Sequence, residues 1–414
     1  MFKIKISKKI LIPLLIGIVI RFFLMAFTYH PDLAGQNLSA YFWGFKNVTN
    51  VYEHLLSLPP NDPLVKNFGV SDIFIYPPLT YFTLGTFQKI FAFTGLGHFL
   101  EAIMSGVNIY KITGLSFYLF IIKLPYLFFD LAVAYFLYKY FDDPRQKYLA
   151  FIFWIFNPVT LYATFCMGVF DIIPVFFTVL AAYFLKKQKL FLSVLFIGFG
   201  IAFKMYPIFL LPLIIFKSDK WVERIKLAIV SFLPIIITNL PFIFSSAYRY
   251  MVFSPKSQKM LYMQWMLTSA EGLFPFILIL IFLYLLSQNK TLRPKFYISY
   301  FFVTFLLLFS VTHFHPQWFI WITPFLIIEI INYKFKEAWI YLGLILIYIF
   351  IVFTFENSLS IGLFSPLNPA LNSFVGTQAL LTQATDINQL KSYVRSIFAG
   401  ISIYLGFSHL KKSV

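Results

Sequence analysis

Apolar residues fall along this chain in runs of about 15 to 25, separated by short basic clusters, which is the spacing of helices that cross a bilayer. The clusters are "KIKISKK", "KYFDDPRQK", "KKQK", "KSDKWVERIK", "NKTLRPK", "YKFKE" and a final "KK". If all of them face the cytoplasm, the apolar segments between them cross in even numbers. The first helix, about residues 9–28, leads outward, has no small-residue cleavage site and reads as an uncleaved first span. "GLSFYLFIIKLPYLFFDLAVAYFLYKYF" is the next segment that returns, so residues 29–113 form a first outer loop. Within that loop "YPPLTYFTLGTFQKIFAFTG" reads as an outer-surface or re-entrant helix. "YLAFIFWIFNPVTLYATF" then exits, "DIIPVFFTVLAAYFL" returns, and "FLSVLFIGFGIAF" with "MYPIFLLPLIIF" makes a hairpin hinged at Lys204. Six further spans, the last preceded by a loop of about 38 residues, give about 12 crossings with both termini inside. The expected fold is all-α, a polytopic transmembrane helical bundle with no soluble domain and no internal repeat.

Composition agrees with the pattern. The chain has 414 residues, is 60% hydrophobic and carries 12% charged residues, about half the charge of a soluble domain. The mean hydropathy is +0.81. The net charge of +17 sits in the inter-span clusters, as the positive-inside rule produces, and does not call for nucleic acid. The one cysteine, Cys166, allows no internal disulfide and lies in an apolar stretch where packing is its simplest role.

Candidate chemistry lies where ionisable groups meet helix ends, because such groups at membrane depth are costly and so point to function. Under the expected topology most of them gather on the outer side. They are Asp32 in "YHPDLAGQN", Tyr76 in "FIYPPLTYF", Lys123 in "IIKLPYLFFD", Asp171 in "MGVFDIIP", Lys204 in "AFKMYPIF", and His313 and His315 in "VTHFHPQW". Each has a plain structural reading as well. Asp32 reads as a solvated loop carboxylate, and Lys123 and Lys204 as lysines snorkelling to headgroups. Asp130 lies deeper and is expected to pair internally with a lysine or a tyrosine.

In order along residues 10–330, "HPDL", "YPPLTYF", "KLPYLFFDLAVAYFLYKY", "FNPVTLYATFCMGVFDIIPVFF", "GFGIAFKMYPIFLLPLIIF" and "HFHPQWFIWITPF" resemble the GT-C glycosyltransferases. The similarity is greatest to those that use polyprenyl-phosphate sugars. The resemblance implies a GT-C-like module over residues 1–220, a variable C-terminal module over 221–414, and transfer of a hexose from a polyprenyl-phosphate donor to a glycan or glycolipid acceptor at the outer face. It implies Asp32 as the general base that deprotonates the acceptor hydroxyl, with inversion in a single displacement. It assigns His315 to the donor phosphate, with Lys204 as a second cation, and gives Asp171 a role in binding acceptor or shaping the site. Many relatives carry a paired acidic motif at the position of Asp32, but here its neighbours are Pro31 and Leu33. A tightly held divalent metal is therefore not supported, unless Glu53, Asp62 or Asp72 folds back toward it. The alternatives in other classes are a transporter or flippase of lipid-linked sugars, which calls for pseudo-symmetric halves, and a transferase with a large outer domain. The frequent Lys, Ile, Phe and Asn favour a bacterial plasma membrane, with the endoplasmic reticulum as alternative, where the sequons "NLS" and "NVT" would matter.

Overall fold

A computed structural model describes residues 8–64, 74–253, 263–288 and 297–413. Asp72, in the first loop, and the whole "NKTLRPK" cluster lie outside the described residues. The described chain is all-α apart from one short hairpin, Trp265–Met266 paired antiparallel with Gly272–Leu273. Three of its helices are long and apolar enough to cross a membrane: Lys8–Phe27, Pro144–Cys166 and Trp221–Phe242. A fourth span results if the bent pair Leu115–Ile122 and Leu124–Tyr140 is counted as one, and seven shorter apolar helices accompany them.

In chain order, α1 (Lys8–Phe27) leads to four helices of the first loop. These are α2 (Pro31–Lys46), α3 (Val51–Ser57), α4 (Pro78–Ile90) and α5 (Leu96–Met104). Next come α6 (Leu115–Ile122), α7 (Leu124–Tyr140) and α8 (Pro144–Ile155), the last continuing through a π-helical turn, Leu161–Cys166. Two helices, α9 (Ile172–Lys186) and α10 (Leu190–Phe203), form a hairpin, and after a 3-10 turn α11 (Leu211–Ile215) and α12 (Trp221–Asn239) follow. The second half comprises α13 (Ser246–Val252), α14 (Pro275–Ser287), α15 (Tyr297–Val311), α16 (Thr323–Asn332), α17 (Ala338–Phe353), α18 (Thr377–Ala384) and α19 (Ile387–Ser413).

The bend of 44° between α6 and α7 has its cause in Pro125, whose ring and missing N–H cannot continue a helix. Lys123 sits at that break and is fully buried, which corrects its reading as a snorkelling lysine. Its ammonium donates to Thr28 O at 2.7 Å, Phe165 O at 2.9 Å and Thr28 Oγ1 at 3.1 Å. Thr28 directly follows α1, and Phe165 lies in the last turn of the α8 extension. Both carbonyls belong to helix ends that lack intrahelical donors and carry partial negative charge. One cation thus ties the ends of two helices to the start of a third.

Asp130 pairs with Arg21, not with the lysine or tyrosine expected. Arg21 Nε donates to Asp130 Oδ2 at 2.7 Å, Trp154 Nε1 donates to Asp130 Oδ1 at 3.0 Å, and both charged side chains are fully buried. Arg21 also reaches the carbonyls of Ile155 and Gly17, so α1, α7 and α8 share one polar knot. Close backbone approach does comparable work in the first loop. A Cβ on Gly85 would lie 2.5 Å from Ala40 O, and one on Gly44 would lie 2.7 Å from Gly85 O, so α2 and α4 meet along their backbones. Asn37, the acceptor of the "NLS" sequon, is buried in this contact and bonded to Tyr126 and Gln88.

The bundle has two chemically distinct ends. At one, Lys186 bonds Asp142 at 2.8 Å and Lys217 bonds Gln188 at 2.7 Å, and an open cavity of about 330 Å³ is lined by Tyr140, Lys186, Gln188, Tyr297 and Asn332. The basic clusters around residues 143, 188 and 217 meet here. At the other end lie the C-terminus of α1 and the starts of α2, α7 and α9. Helix α9 runs between the two, with Asp171 as its N-cap and Lys186 in its last turn.

Breaking the central knot on one side should be costly. Arg21→Ala or Asp130→Ala leaves a buried charge without its partner and should destabilise the protein by about 3–5 kcal/mol. The double change Arg21→Met with Asp130→Leu should recover most of that loss, read as the unfolding midpoint in detergent. Equal losses in the single and double variants would contradict the pairing.

Candidate functional site

The end away from the basic clusters holds the candidate site, and each of its side chains is set by a helix terminus. At the α1–α2 junction His30 occupies the N-cap with extended backbone, and Pro31 takes the first helical position, where a missing N–H costs nothing. Asp32 follows in the first turn of α2, a helical position and not the loop position expected. At the α8–α9 junction Gly168 turns the chain with φ of +71°, where a Cβ would press on Leu33 and on the Lys123 side chain at 3.0 Å. The turn brings Phe170 N onto Gln36 Oε1 at 3.2 Å and places Asp171 as N-cap of α9. Thr80 Oγ1 donates to Phe203 O at 2.9 Å, docking the "YPPLTYF" segment onto the last turn of α10. Tyr76 thereby lies beside Lys204. The 3-10 turn Pro316–Trp321, after α15, supplies Gln317, Trp318 and Trp321.

These junctions build a closed pair and an open carboxylate. Lys204 Nζ donates to both oxygens of Asp171, at 2.8 and 3.0 Å, and Trp321 Nε1 donates to Asp171 Oδ1 at 2.5 Å. Asp171 is buried and the Lys204 side chain is 12% exposed. The Lys204 ammonium lies 5.2–5.7 Å from the ring centroids of Tyr76, Phe170, Trp318 and Trp321, within the range of cation–π attraction. Trp321 in turn stacks on Tyr206 at 4.0 Å and 2°. The charge of Lys204 is therefore spent on Asp171, and it does not stand free as the second phosphate cation that the sequence suggested. Asp171 anchors the wall of the site.

Asp32 is in the opposite condition. Its side chain is 41% exposed, and its nearest donor is Gln317 Nε2, 3.4 Å from Oδ2. His30 Nδ1 lies 3.6 Å from Oδ1 but accepts the Asp32 backbone N–H at 3.2 Å, so that nitrogen carries no proton and the imidazole is neutral. Burial holds His30 below the usual imidazole range, against the pull of Asp32 and Glu356. Gln317 and Trp321, one turn apart, thus hold the two carboxylates of the site.

His315 precedes that turn and makes no side-chain cap; its ring stacks edge-on to Trp318 at 5.3 Å and to His313 at 5.6 Å. Burial lowers its pKa, Asp32 opposes this, and Lys204, Arg395 and His30 add to the lowering. Exposed His313 is pushed down to about 4 by partial burial, then by Arg395, His315 and Lys391. Two of these cations come from the start of α19, where no motif was matched. Lys391 lies over Phe355 at 5.7 Å and Arg395 over Phe314 at 4.8 Å.

Of the seven side chains singled out from sequence, Lys204, Asp171 and Tyr76 form one contact group, Asp32, His315 and His313 form the adjoining mouth, and Lys123 is taken up by helix ends behind them. Glu53 lies in the first turn of α3, where its backbone N–H donates to Asn50 Oδ1 at 3.2 Å, and Asp62 Oδ1 accepts from Leu64 N at 2.9 Å. Among the described residues no group of three His, Cys, Asp or Glu converges as a metal site would require. Sequence reasoning passed over His30, Gln317 and Trp321, although each lies inside or beside a quoted motif. No family model matches the chain, and comparison with curated proteins and with solved structures gave no match.

The lowered histidines fix a sign for pH dependence. An imidazole whose folded pKa lies below its unfolded value near 6.5 takes up its proton first in the unfolded chain. Stability from neutral His313 is thus intact above about pH 6.5 and falls as the pH drops toward about 4. His313→Gln should flatten the fall of the unfolding midpoint across that window. An unchanged slope would mean that His313 is free of the cationic surroundings described.

Proposed function

We propose that the protein is an inverting glycosyltransferase of GT-C type, transferring a hexose from a polyprenyl-phosphate donor to a glycan or glycolipid acceptor at the outer membrane face. The fold in this reading is a polytopic bundle of about 12 crossings, in the plasma membrane of a bacterium. The observation that carries it is the contrast between the two carboxylates. Asp171 is buried and saturated by Lys204 and Trp321, whereas Asp32 is 41% exposed and holds one long contact from Gln317. A general base needs an accessible oxygen that can come within about 3 Å of the acceptor hydroxyl. Asp32 has one and Asp171 has none.

In the reaction, Asp32 takes the proton of the acceptor hydroxyl as its oxygen attacks the anomeric carbon from the side opposite the phosphate. The bond from that carbon to the phosphate oxygen breaks, and the phosphate leaves with the electron pair. Gln317 orients the base through its amide. His315, beside Asp32 and without a side-chain hydrogen bond among the described residues, offers an N–H to the phosphate as its charge develops. No divalent metal is assigned a role.

Asp32→Asn keeps the size of the side chain and the Gln317 contact but removes the base, so turnover should fall on the order of 10²–10⁴-fold with donor binding retained. The assay is consumption of individual polyprenyl-phosphate sugars by the purified protein; retention of most activity would remove Asp32 as the base. The sidedness is tested in intact cells with a membrane-impermeant maleimide. Ser105→Cys, in the first loop, should label, and Arg145→Cys, in the basic cluster at the opposite end, should not. Cys166 is buried and gives little background. Labelling at Arg145→Cys alone would invert the topology.

A further inference from the structure

The histidine pair faces two ways. His315 looks toward Asp32, and His313 lines an open cavity of about 420 Å³ between the end of α15 and the first turns of α19. The walls are of two kinds. Phe309, Val311, Ala399, Met263 and Trp265 give an apolar side, and Arg395 gives donors, while the hydroxyls of Thr312 and Ser396 donate to the helix carbonyls of Leu308 and Ser392. Arg395 is half-buried, yet its one hydrogen bond among the described residues is a 3.4 Å contact from Nη2 to Phe314 O. Neither it nor Lys391, one helical turn earlier, forms an ion pair among the described residues. The other buried or half-buried cations near this end behave differently: Lys204 has Asp171 and Lys123 has three oxygens within 3.1 Å. A half-buried guanidinium with no carboxylate, beside a neutral imidazole and a second cation, is an electrostatic deficit that an anion would fill. An anion that also covers the aromatic and aliphatic wall must carry a hydrocarbon chain.

We infer that this cavity binds a lipid-borne phosphate, with Arg395 and Lys391 as its cations, His313 as a neutral donor, and Met263, Trp265 and Phe309 against the first carbons of the chain. Arg395 suits the role because a guanidinium fork meets two phosphate oxygens at once. A polyprenyl phosphate and an ordinary anionic phospholipid share this chemistry. The inference rests on the proposed transferase reading only for the choice between them. If the ligand is the polyprenyl phosphate, its phosphate lies one histidine away from Asp32, with the chain leaving laterally between α15 and α19.

The test uses the full chain in phosphatidylcholine nanodiscs, with tryptophan emission followed during titration by farnesyl phosphate, since Trp265 lines the cavity. Binding should weaken by about tenfold or more in Lys391→Ala with Arg395→Ala, and only in part in Arg395→Lys. Ser396→Trp, a change at an exposed helix position that fills the cavity, should block binding in a protein whose unfolding midpoint is unaltered. Farnesol should bind more weakly than the phosphate and equally in all forms with an open cavity. Unchanged affinity in the double alanine variant, or an equal loss for farnesol, overturns the inference. So does inorganic phosphate competing as well as the farnesyl ester. Phosphatidylglycerol displacing farnesyl phosphate at equal mole fraction upholds the site and assigns it to bilayer lipid. Farnesyl phosphate binding unaffected by phosphatidylglycerol upholds it for the donor. Because the readout is binding, failure of Asp32→Asn to lower turnover would refute the catalytic reading and leave this one standing.

Discussion

A charge inside an apolar bundle has to find its counter-charge or a set of dipoles within the bundle, and in this protein that constraint decides which helices touch. Desolvating an ion costs several kcal/mol unless well-placed partners offset it. Arg21 and Asp130 meet this demand across α1 and α7, with Trp154 of α8 completing the carboxylate. Lys123 meets it with carbonyl oxygens at the terminus of α1 and the last turn of the α8 extension, together with the Thr28 hydroxyl. Lys204 and Asp171 meet it across the ends of α9 and α10. Each solution ties together helix ends far apart in sequence, and the three lie in order from the interior toward the site. Apolar contacts fill the space between helices but are non-directional; the paired charges set the register.

The same constraint explains why Asp32 differs from Asp171 at the same end of the bundle. The imidazole beside it, His30, is already committed as an acceptor to the Asp32 backbone. The lysine that could have neutralised it, Lys204, is claimed by Asp171 and boxed in by four aromatic rings. The aromatic box fixes the ammonium where Asp32 cannot take it. Trp321 and Gln317 belong to one 3-10 turn, so the group that closes Asp171 and the group that orients Asp32 are placed by a single stretch of backbone. An open carboxylate is maintained here by keeping cations elsewhere.

Much of this was legible in the sequence, and the limits are instructive. Long apolar runs and basic clusters set out the helices, and the hinge at Lys204 is the end of α10. The motifs "HPDL", "VFDIIP", "AFKMYP" and "HFHPQW" do meet at one end. Pairing was not legible. A lysine preceding an apolar helix reads as a snorkelling residue, and only the fold shows Lys123 capping two other helices. Asp130 was expected to find a lysine or tyrosine because Arg21 reads as one polar residue inside the first span. Gln317 and His30 went unremarked because an amide and a buried imidazole carry no charge signature. The crossing count from charge parity exceeds the three helices long enough to cross unaided, since many of the apolar helices run 10–17 residues. That is about 15–25 Å of rise against a hydrocarbon layer of about 30 Å, so turns and helix extensions would have to make up the rest of each crossing.

The C-terminal segment bears on the site more than its lack of motifs suggested. After α17 the chain runs through short 3-10 turns that seal the end of the bundle. Tyr29 N donates to Leu363 O at 2.9 Å, and Tyr162 OH to Leu359 O at 2.8 Å. These bonds join that loop to the residue before His30 and to the π-helical turn ahead of Asp171. The loop then delivers Lys391 and Arg395 to the rim beside His313. At its far end α19 is anchored by a buried cluster in which Glu329 and Tyr341 both bond His409, at 2.5 and 2.6 Å. A helix pinned at its far end, with no ion pair at its rim among the described residues, is held in position without those residues neutralising its rim cations. Fixed cations of this kind form a preorganised electrostatic surface, and such a surface needs no rearrangement when an anion arrives. The first loop presents an unneutralised carboxylate, the last helix presents unneutralised cations, and the histidine pair stands between them.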